Sequence, residues 1–444
     1  MQLFGTSRVN ARGHLEIGGC DSVDLAREFG TPLYVFDEDL IRSNLRQYRQ
    51  GFAEHYPGPA RVAYAAKAFL TTAMAALASE EGTDMDAVSG GEVYTALRGG
   101  FPSERILFHG NNKTPEEVRF AVEAGVGRFV VDNLYELDLL EEAAARRRTR
   151  ARVLLRLTPG IEAHTHDYIR TGQVDSKFGL VLENGQALAA VRETLRRRHL
   201  ELVGLHSHIG SQVFDPEPFA DSAQVMMRFL AEVRRETGLT LSELDLGGGL
   251  GVHYTEQDDP PTIGDFTRHL AAAVVAAAGE AGYPLPTLYV EPGRSIVAEA
   301  GTTLYTVGSI KDIPGIRTYL AVDGGMGDNP RPALYGAQYE ACVANRMGQQ
   351  PSCTVAVAGK CCESGDMLIQ EIALSEPQPG DLLAVTTTGA YNHSMASNYN
   401  RLGRPAAVFV RGGRADLVAR RETYEDLVAL DVLPSRLSAQ VGVA

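Results

Sequence analysis

One lysine near the start of the chain closes a short apolar run. Arg61 to Phe69 is RVAYAAKAF, whose β-branched and aromatic residues predict a strand that ends at Lys67, and Leu70 to Glu81 predicts a helix. A cation at a strand end usually just reaches water. In a cleft, however, a lysine amine can act as a nucleophile that bonds covalently to a carbonyl compound. The chemistry of Lys67 therefore depends on the groups that the fold brings beside it.

Three consecutive glycines follow another predicted strand. In LDLGGGLG, Leu244 to Gly251, the N–H groups of Gly247, Gly248 and Gly249 could approach a phosphate without a Cβ in the way. The run does not fit GxGxxG, so a dinucleotide site is not favoured, and a tight turn is the alternative.

A carboxylate, a backbone bend and a guanidinium occur within four residues in EPGRSIV, Glu291 to Val297. This combination suits a ligand that carries both an anionic and a basic atom. A surface ion pair is the alternative explanation.

Two histidines lie on one face of a predicted strand in HSHIGSQ, His206 to Gln212. A His-x-His pair can bind a metal, and His164 and His166 form a second such pair. Neither pair has a carboxylate or thiolate at metal-ligand spacing, so the sequence predicts no metal site.

Short β-rich runs alternate with helical runs through the first two thirds of the chain, which predicts parallel strands joined by helices. Eight such units can close a (β/α)₈ barrel. The predicted strands are Val62 to Ala66, Met85 to Ser89, Ile106 to Gly110, Arg128 to Asp132, Val153 to Thr158, Leu202 to His208, Glu243 to Gly247 and Thr287 to Glu291.

An open doubly wound sheet is the competing architecture, and periodicity alone does not exclude it. Polar groups at or just past the end of nearly every predicted strand favour the barrel, because barrel enzymes build their sites at that one face. These groups are Lys67, Ser89, His109, Asn111, Asp132, Arg156, His206, His208, Gly247 to Gly249 and Glu291.

After about Gly301 the long helices stop, and short strands predict a second, mostly β domain of sandwich or barrel-like form. We therefore expect an α/β chain in which residues 38–300 form the cofactor-binding barrel, while residues 1–37 and 301–444 form the β-rich domain. The loop from Pro159 to Phe178 is long for a connection in a barrel, and such loops are often functional.

Composition excludes several classes of protein. The 444 residues carry a formal charge of −14, which argues against nucleic acid or an anionic membrane surface as a partner. Five cysteines form an odd number and have no CxxC spacing, which fits a reducing compartment. No signal-peptide core or bilayer-length apolar run is present, so we expect a cytoplasmic protein.

A lysine, a glycine turn and a carboxylate on one barrel face favour pyridoxal 5'-phosphate as cofactor, because it needs an amine, anion donors and an acid at its ring nitrogen. In order and spacing, the chain resembles the diaminopimelate decarboxylase family of barrel-plus-β-domain pyridoxal enzymes. The motifs that carry the resemblance are YAAKAF, SGGE, HGNNK, HIGSQ, GGGLG, EPGRSIV, VDGGM, RPALYGA, GKCCESGD and GAYNHSMASNYN. They run from about Thr31 to Arg401.

The resemblance assigns roles residue by residue. Lys67 would be the Schiff-base lysine, His208 would stack on the cofactor ring, Glu291 would face the ring nitrogen and Cys362 would be the proton donor. The implied phosphate ligands are Ser211, Gly247 to Gly249, Gly293, Arg294 and Tyr391, and the implied substrate ligands are Arg294, Arg331, Tyr335, Glu363 and Tyr391. His393 is a departure, since an aromatic residue is more usual at that position.

The resemblance also implies a homodimer with shared active sites, in which Cys362 and Glu363 come from the neighbouring subunit. Arg331 beside Glu363 suits the carboxylate and ammonium at the far end of meso-2,6-diaminopimelate, so decarboxylation to L-lysine is the expected reaction. A decarboxylase for ornithine, arginine or lysine, a racemase on the same scaffold and a non-catalytic relative are the alternatives.

Overall fold

The computed structural model describes residues 2–161, 176–182 and 184–438. Most of the long loop predicted from Pro159 to Phe178, including His164 and His166, lies outside the described residues. The chain begins with a small antiparallel sheet and one helix, and it then enters a strand of the later β domain. These first elements are β1 (Arg8–Val9), β2 (Leu15–Ile17), β3 (Cys20–Asp21), α1 (Ser22–Phe29) and β4 (Leu33–Asp37).

Strands and helices alternate through the next part of the chain. Its elements are α2 (Glu38–His55), β5 (Ala60–Ala65), α3 (Thr72–Glu80), β6 (Asp84–Ala87), α4 (Gly90–Arg98), β7 (Ile106–Phe108), α5 (Pro115–Ala124), β8 (Arg128–Val131), α6 (Leu134–Arg147), β9 (Ala151–Thr158), β10 (Leu180–Val181), α7 (Gln186–Arg196), β11 (Leu200–Ser207), α8 (Glu217–Thr237), β12 (Glu243–Asp245), α9 (Ile263–Glu280), β13 (Thr287–Val290) and α10 (Arg294–Val297).

Eight parallel strands close into a barrel, which confirms the predicted fold. The order is β5-β6-β7-β8-β9-β11-β12-β13, and β13 pairs with β5 to complete the ring. The two-residue strand β10 adds to the outer edge of β9 and does not interrupt the ring. All eight strands predicted from the sequence are present, so their carboxyl ends share one mouth.

The barrel interior is filled in layers. A buried apolar layer consists of Ala63, Leu107, Val130, Leu154, Val203 and Tyr289. Below it, at the amino ends of the strands, Arg61 pairs with Asp84 at 2.5 Å and Arg128 pairs with Glu243 at 2.6 Å. The floor is therefore closed by ion pairs whose carboxylates are buried, and the groups that remain for chemistry lie at the opposite end.

Some of the polar residues that follow the strands cap the next helix and do not line the site. The side chain of Ser89 accepts a hydrogen bond from the backbone N–H of Glu92 and caps α4, and Asn133 caps α6 in the same way. Thr114 and Glu117 form a capping box at the start of α5. These residues satisfy backbone donors that would otherwise lose a partner at the first turn of each helix.

The second domain is mostly sheet, as predicted, and it also carries short helices. Its elements are β14 (Gly301–Ile313), β15 (Arg317–Val322), α11 (Arg331–Tyr335), β16 (Ala341–Val343), β17 (Cys353–Ala358), β18 (Met367–Leu374), β19 (Leu382–Val385), β20 (Ala406–Arg411), β21 (Arg414–Ala419), α12 (Tyr424–Val428) and α13 (Ser435–Ser438). The strand order is β18-β17-β15-β14-β4-β20-β21, with β19 paired to β14 and β16. The early strand β4 therefore lies at the centre of a sheet built mainly from the late part of the chain.

The two domains touch next to Lys67. The backbone N–H of Tyr391 donates to the carbonyl of Ala68 at 2.9 Å, and the Ser394 hydroxyl reaches the same carbonyl at 3.2 Å. Phe69 stacks on Phe36 of β4 with ring centroids 4.1 Å apart. The β domain thus covers one side of the barrel mouth. Among the described residues, no helix is long and apolar enough to cross a membrane.

Candidate active site

Lys67 lies in a single 3₁₀ turn, Ala66–Ala68, that follows β5. Its side chain is 37% exposed at the barrel mouth, and its Nζ donates a hydrogen bond to Asp86 at the end of β6. Burial disfavours the charge on Lys67, but Asp86, Tyr391 and Glu291 outweigh it and raise the pKa of the amine. A reachable amine held by a buried carboxylate fits the role predicted for Lys67.

Glu291 follows β13 and is buried between two imidazoles. Nε2 of His109 lies 2.6 Å from one carboxylate oxygen, and Nε2 of His206 lies 3.2 Å from the other. Burial disfavours the charge on Glu291, but the two imidazoles outweigh it and hold the pKa of this carboxyl well below its usual range. Glu291 is therefore an anion at neutral pH, which suits a partner that carries a proton on nitrogen.

Asp245 completes a cluster of four buried groups whose ligand-type atoms lie within 4.8 Å of one another. Burial and the Glu291 charge raise the pKa of Asp245 well above its usual value. One of its oxygens accepts from the N–H of Gly247 at 2.9 Å. Imidazoles and carboxylates are also metal ligands, so the cluster alone would suit either a basic ring nitrogen or a divalent cation.

The glycine turn after β12 requires glycine for packing. A Cβ at Gly248 would lie 2.1 Å from the carbonyl oxygen of Glu291, and a Cβ at Gly249 would lie 2.3 Å from that of Gly210. Gly247 and Gly249 also have φ angles of +69° and +126°, which disfavour other residues. The N–H of Gly247 is used by Asp245, so the turn has a local partner at its first position.

His208 and Ser211 follow β11 on the same side of the mouth. The N–H of Gly248 donates to Nδ1 of His208 at 3.3 Å, and the Ser211 hydroxyl accepts from Arg294 at 2.9 Å. Burial, together with the charges of Arg156 and Lys67, lowers the pKa of His208 well below its usual value. A neutral imidazole beside Lys67 can lie against an aromatic ring without a charge to desolvate.

Gly293 and Arg294 come shortly after Glu291, and Gly293 allows the chain to pass close to the residues on either side of Lys67. A Cβ at Gly293 would lie 2.9 Å from the Cβ of Ala65. The guanidinium of Arg294 lies 4.9 Å from the ring centre of Tyr391. The structure therefore brings the predicted phosphate ligands Ser211, Arg294 and Tyr391 together.

Arg294 and Arg331 lie on one tyrosine ring, that of Tyr254, with their guanidinium carbons 5.7 and 4.5 Å from its centre. Arg294 donates to the Tyr254 hydroxyl at 2.6 Å, and Arg331 donates to the Tyr339 hydroxyl at 2.5 Å. Both arginines are buried, and within residues 2–161, 176–182 and 184–438 no carboxylate forms an ion pair with either. Two buried cations that face only hydroxyls and rings favour anionic ligands.

Cys362, Glu363 and Tyr335 are placed differently. Cys362 and Glu363 are exposed on the loop between β17 and β18, where the N–H of Cys362 donates to Asn400 at 2.7 Å. In the described part of a single chain, no hydrogen bond or ion pair joins either residue to the groups around Lys67. Tyr335 lies half-buried at the end of α11, the short helix that starts with Arg331.

Comparison with known proteins identifies the family. The sequence model of the pyridoxal-dependent decarboxylase, pyridoxal binding domain, matches residues 38–298. The chain is 55% identical to diaminopimelate decarboxylase from Bacillus subtilis over 97% of this chain and 98% of that one. The chain belongs to the diaminopimelate decarboxylase family.

Solved structures agree with this assignment. Diaminopimelate decarboxylase from M. jannaschii in complex with L-lysine has a TM-score of 0.89 and 37% identity, over 97% of this chain and 99% of that one. A lysine/ornithine decarboxylase from Vibrio vulnificus has a TM-score of 0.74 and 26% identity, over 88% and 97%. The predicted family, barrel fold and pyridoxal cofactor are thereby confirmed.

Several residues of this decarboxylase site were not assigned a role from the sequence. His109 was noted only as a polar group at a strand end, and His206 also as part of a His-x-His pair. Their shared contact with Glu291 depends on the closed barrel and was not predicted. Asp86 and Tyr254 gave weaker signals, namely an acid inside an otherwise buried strand and a tyrosine shortly after the glycine turn.

Proposed function

We propose that this chain decarboxylates meso-2,6-diaminopimelate to L-lysine and CO₂ with pyridoxal 5'-phosphate as cofactor, which is the last step of lysine biosynthesis. The observation that carries the proposal is the pair of buried arginines, Arg294 and Arg331, which share the Tyr254 ring and have no carboxylate partner among the described residues. A relative that is 55% identical over 97% of this chain and 98% of its own length carries the name of this enzyme.

The residues present fit the cofactor. Lys67 offers the amine for the covalent bond, and the ionised Glu291 offers the anion that keeps a ring nitrogen protonated. His208 would lie against the ring, while Ser211, Arg294, Gly293, Tyr391 and the glycine turn would surround the phosphate. When bound, pyridoxal phosphate supplies the electron sink that accepts the electron pair left after loss of CO₂.

Substrate selection follows from charge pairing. Arg331 and Tyr335 would hold the distal carboxylate of diaminopimelate, and Glu363 would face its distal ammonium. A buried guanidinium that loses its anionic partner costs several kcal/mol, on the order of 3–5. Ornithine, arginine and lysine lack a distal carboxylate, so each would leave Arg331 without a partner and react more slowly.

A direct assay tests the reaction. CO₂ release from meso-diaminopimelate, L-lysine, L-ornithine and L-arginine should be compared with the same cofactor-loaded enzyme. We expect a strong preference for meso-diaminopimelate, and a preference for any of the others would overturn the proposed substrate. Solvent-deuterium exchange at Cα without CO₂ release would instead indicate a racemase.

Reductive trapping tests the cofactor bond separately. Borohydride reduction of the loaded enzyme followed by peptide mapping should place the pyridoxyl group on Lys67. Labelling of another lysine, such as the exposed Lys311, would contradict the assignment of Lys67.

The active unit is proposed to be a homodimer that shares its sites. The exposure of Cys362 and Glu363 in one chain supports this, because both groups would be shielded if they entered the mouth of a neighbouring subunit. Residues 38–300 would then act as the cofactor barrel, and residues 1–37 with 301–444 would contribute to the site and the interface. The acidic charge and the unpaired thiols among the described cysteines support a cytoplasmic location.

Mixing two inactive variants tests the shared site. Lys67→Ala and Cys362→Ala lesions would meet in one site of a mixed dimer and leave the other intact, so random exchange should restore about a quarter of wild-type activity. The matched control mixes Lys67→Ala with Glu291→Gln, whose lesions belong to the same half-site and should not complement. No recovery in the first mixture would argue against a proton donor from the partner.

A further inference from the structure

His109 lies between two carboxylates of the site. Asp86 pairs with Lys67, which would bond to the cofactor, and Glu291 would face the ring nitrogen of the cofactor. Its Nε2 lies 2.6 Å from Glu291 and 3.7 Å from one oxygen of Asp86. The other Asp86 oxygen accepts the hydrogen bond from Lys67. His109 is 3% exposed, so solvent does not separate these contacts. The described side chains thus form a series of close contacts from Lys67 through Asp86 and His109 to Glu291.

The charge state of His206 indicates which atom donates the hydrogen in its contact with Glu291. The two imidazoles meet edge to face with ring centres 4.9 Å apart, and each reaches a different oxygen of Glu291. Burial lowers the pKa of His206 to about 4, so at neutral pH this ring is uncharged and its Nε2 hydrogen donates to Glu291. Nε2 of His109 lies 2.6 Å from Glu291 and 3.7 Å from Asp86, so Glu291 is the nearer of the two acids. Nε2 of His109 and the Glu291 oxygen that it contacts are both buried, and neither has an aligned hydrogen bond among the described residues, so each is available to pair with the other.

We propose that His109 is a positioning residue that donates its Nε2 hydrogen to Glu291, keeps this carboxyl ionised opposite the ring nitrogen of the cofactor, and links its charge to the Lys67–Asp86 pair. The inference rests on the proposed function, because it assumes that a basic ring nitrogen faces Glu291. His109 acts through Glu291 and does not itself touch the substrate.

The other charges around Glu291 do not replace His109. The charge of Asp86 opposes a charge on Glu291, and Asp245, whose pKa is raised well above its usual value, lies against the same carboxylate. Lys67 and Arg156 favour a charge on Glu291, but among the described residues neither forms a hydrogen bond with it. Loss of the 2.6 Å contact would remove the His109 imidazole from a buried carboxylate oxygen that has no other hydrogen bond among the described residues, which raises the pKa of Glu291. The proton shared with the ring nitrogen would then move toward the carboxylate.

Three substitutions separate the hydrogen bond from the shape of the ring. His109→Leu removes the donor. In His109→Asn the amide nitrogen lies near the Nδ1 position of the imidazole, because the asparagine side chain is too short to reach Glu291. His109→Gln places an amide nitrogen near the Nε2 position and restores a donor. The matched control is His199→Leu, which breaks another imidazole–carboxylate contact, 2.9 Å to Glu141, at the opposite end of the barrel.

The readout is the ¹⁵N NMR signal of holoenzyme loaded with cofactor labelled at the ring nitrogen, recorded at one neutral pH without substrate. We expect the signal to move toward the value of an unprotonated ring nitrogen in His109→Leu and His109→Asn. In His109→Gln the signal should lie close to the wild-type value, and in the control His199→Leu it should not change. A wild-type signal in His109→Leu would overturn the proposal. If the leucine variant does not fold, a wild-type signal in His109→Asn would overturn it instead. The same displacement in His199→Leu would also overturn it. If the protein did not bind the labelled cofactor at all, even as wild type, the proposed function itself would fail, which is a different outcome.

Discussion

Asp86 holds the amine of Lys67: the buried carboxylate accepts a hydrogen bond from Nζ, while the lysine side chain remains 37% exposed to the mouth. This contact is the main attractive contribution that raises the pKa of Lys67 against the effect of burial. Asp86→Asn should therefore lower the pKa of the amine by about one unit or more. The change can be followed in apoprotein by competitive acetylation of Lys67 as a function of pH, with the exposed Lys311 as internal reference.

The matched control for this experiment is Asp84→Asn on the same strand. Asp84 pairs with Arg61 at the floor of the barrel, so this change should weaken the fold without moving the reactivity profile of Lys67. An unchanged profile in Asp86→Asn would show that Asp86 does not set the charge of the lysine.

Arg331 should discriminate between ligands with and without a carboxylate. Arg331→Met keeps much of the packing on Tyr254 but removes the charge. L-Lysine bound as the product keeps the carboxylate that was distal in diaminopimelate and would present it to Arg331, with its ε-amine toward the cofactor. Its affinity should therefore fall by about 100-fold or more, as expected for a lost charge-assisted hydrogen bond, whereas the affinity for cadaverine, which has no carboxylate, should change little. Calorimetric titration of the loaded enzyme measures both constants.

A second arginine of the β domain provides the comparison for Arg331→Met. Arg346 pairs with Asp381 away from the residues around Lys67, so Arg346→Met should leave both affinities near wild type. Equal losses for lysine and cadaverine in Arg331→Met would mean that Arg331 supports the site only by packing.

The barrel was predictable because its strands and their polar ends carry local signals. Each apolar run ends at a residue such as His208 or Glu291, and parallel strands can place such ends together in one closed ring. Contacts between side chains were less accessible. Asp86 meets Lys67 only because β6 lies beside β5 in register, and Tyr254 meets two arginines only after a loop has folded over the mouth.

The β domain shows where periodicity fails. The strand β18, MLIQEIAL, has no clear alternation, because register shifts against β17 break the sequence of buried and exposed residues that marks a half-buried strand. The three-residue strand β16 is too short for any periodicity. The strand β4 could be predicted locally, but its place between β14 and β20 depends on pairings more than 260 residues apart, from Leu33 to Leu304 and Ala406.

Lys113 and Glu136 form a buried ion pair outside the site, with 2.5 Å between Nζ and the carboxylate. Burial lowers the pKa of the Lys113 amine and raises that of the Glu136 carboxyl, so each depends on the other to remain charged. Lys113→Met should reduce the free energy of unfolding by about 3–5 kcal/mol, because it leaves a buried carboxylate unpaired. Adding Glu136→Met should recover part of this loss in a double-mutant cycle measured by denaturant unfolding.

An exposed pair on α5 is the control for Lys113. Arg119 and Glu116 lie 2.7 Å apart at the surface, so Arg119→Met should cost no more than about 0.5 kcal/mol. Purely additive losses in the Lys113 and Glu136 variants would show that the buried pair is not energetically coupled.

His393 should make the fold sensitive to acid. Its ring packs edge-on against Phe69 and Tyr34, with centroids 5.3 and 5.5 Å away, and burial lowers its pKa to about 4. The unfolded chain therefore takes up this proton near its ordinary value of about 6.5, before the folded chain does. The stability contributed by neutral His393 is complete above about pH 6.5 and is lost as the pH falls toward 4. His206, whose pKa is also lowered to about 4, adds a loss of the same sign.

His393→Phe should flatten this acid dependence, because an aromatic ring without a titrating nitrogen can fill the same contacts. Between pH 7.5 and 4.5 the variant should lose about 2 kcal/mol less free energy of unfolding than wild type, measured by denaturant titration at each pH. His55→Gln, at an exposed histidine near the end of α2, should keep the wild-type dependence. If His393→Phe lost as much stability as wild type over this range, the acid sensitivity would have to arise from other buried groups such as His206.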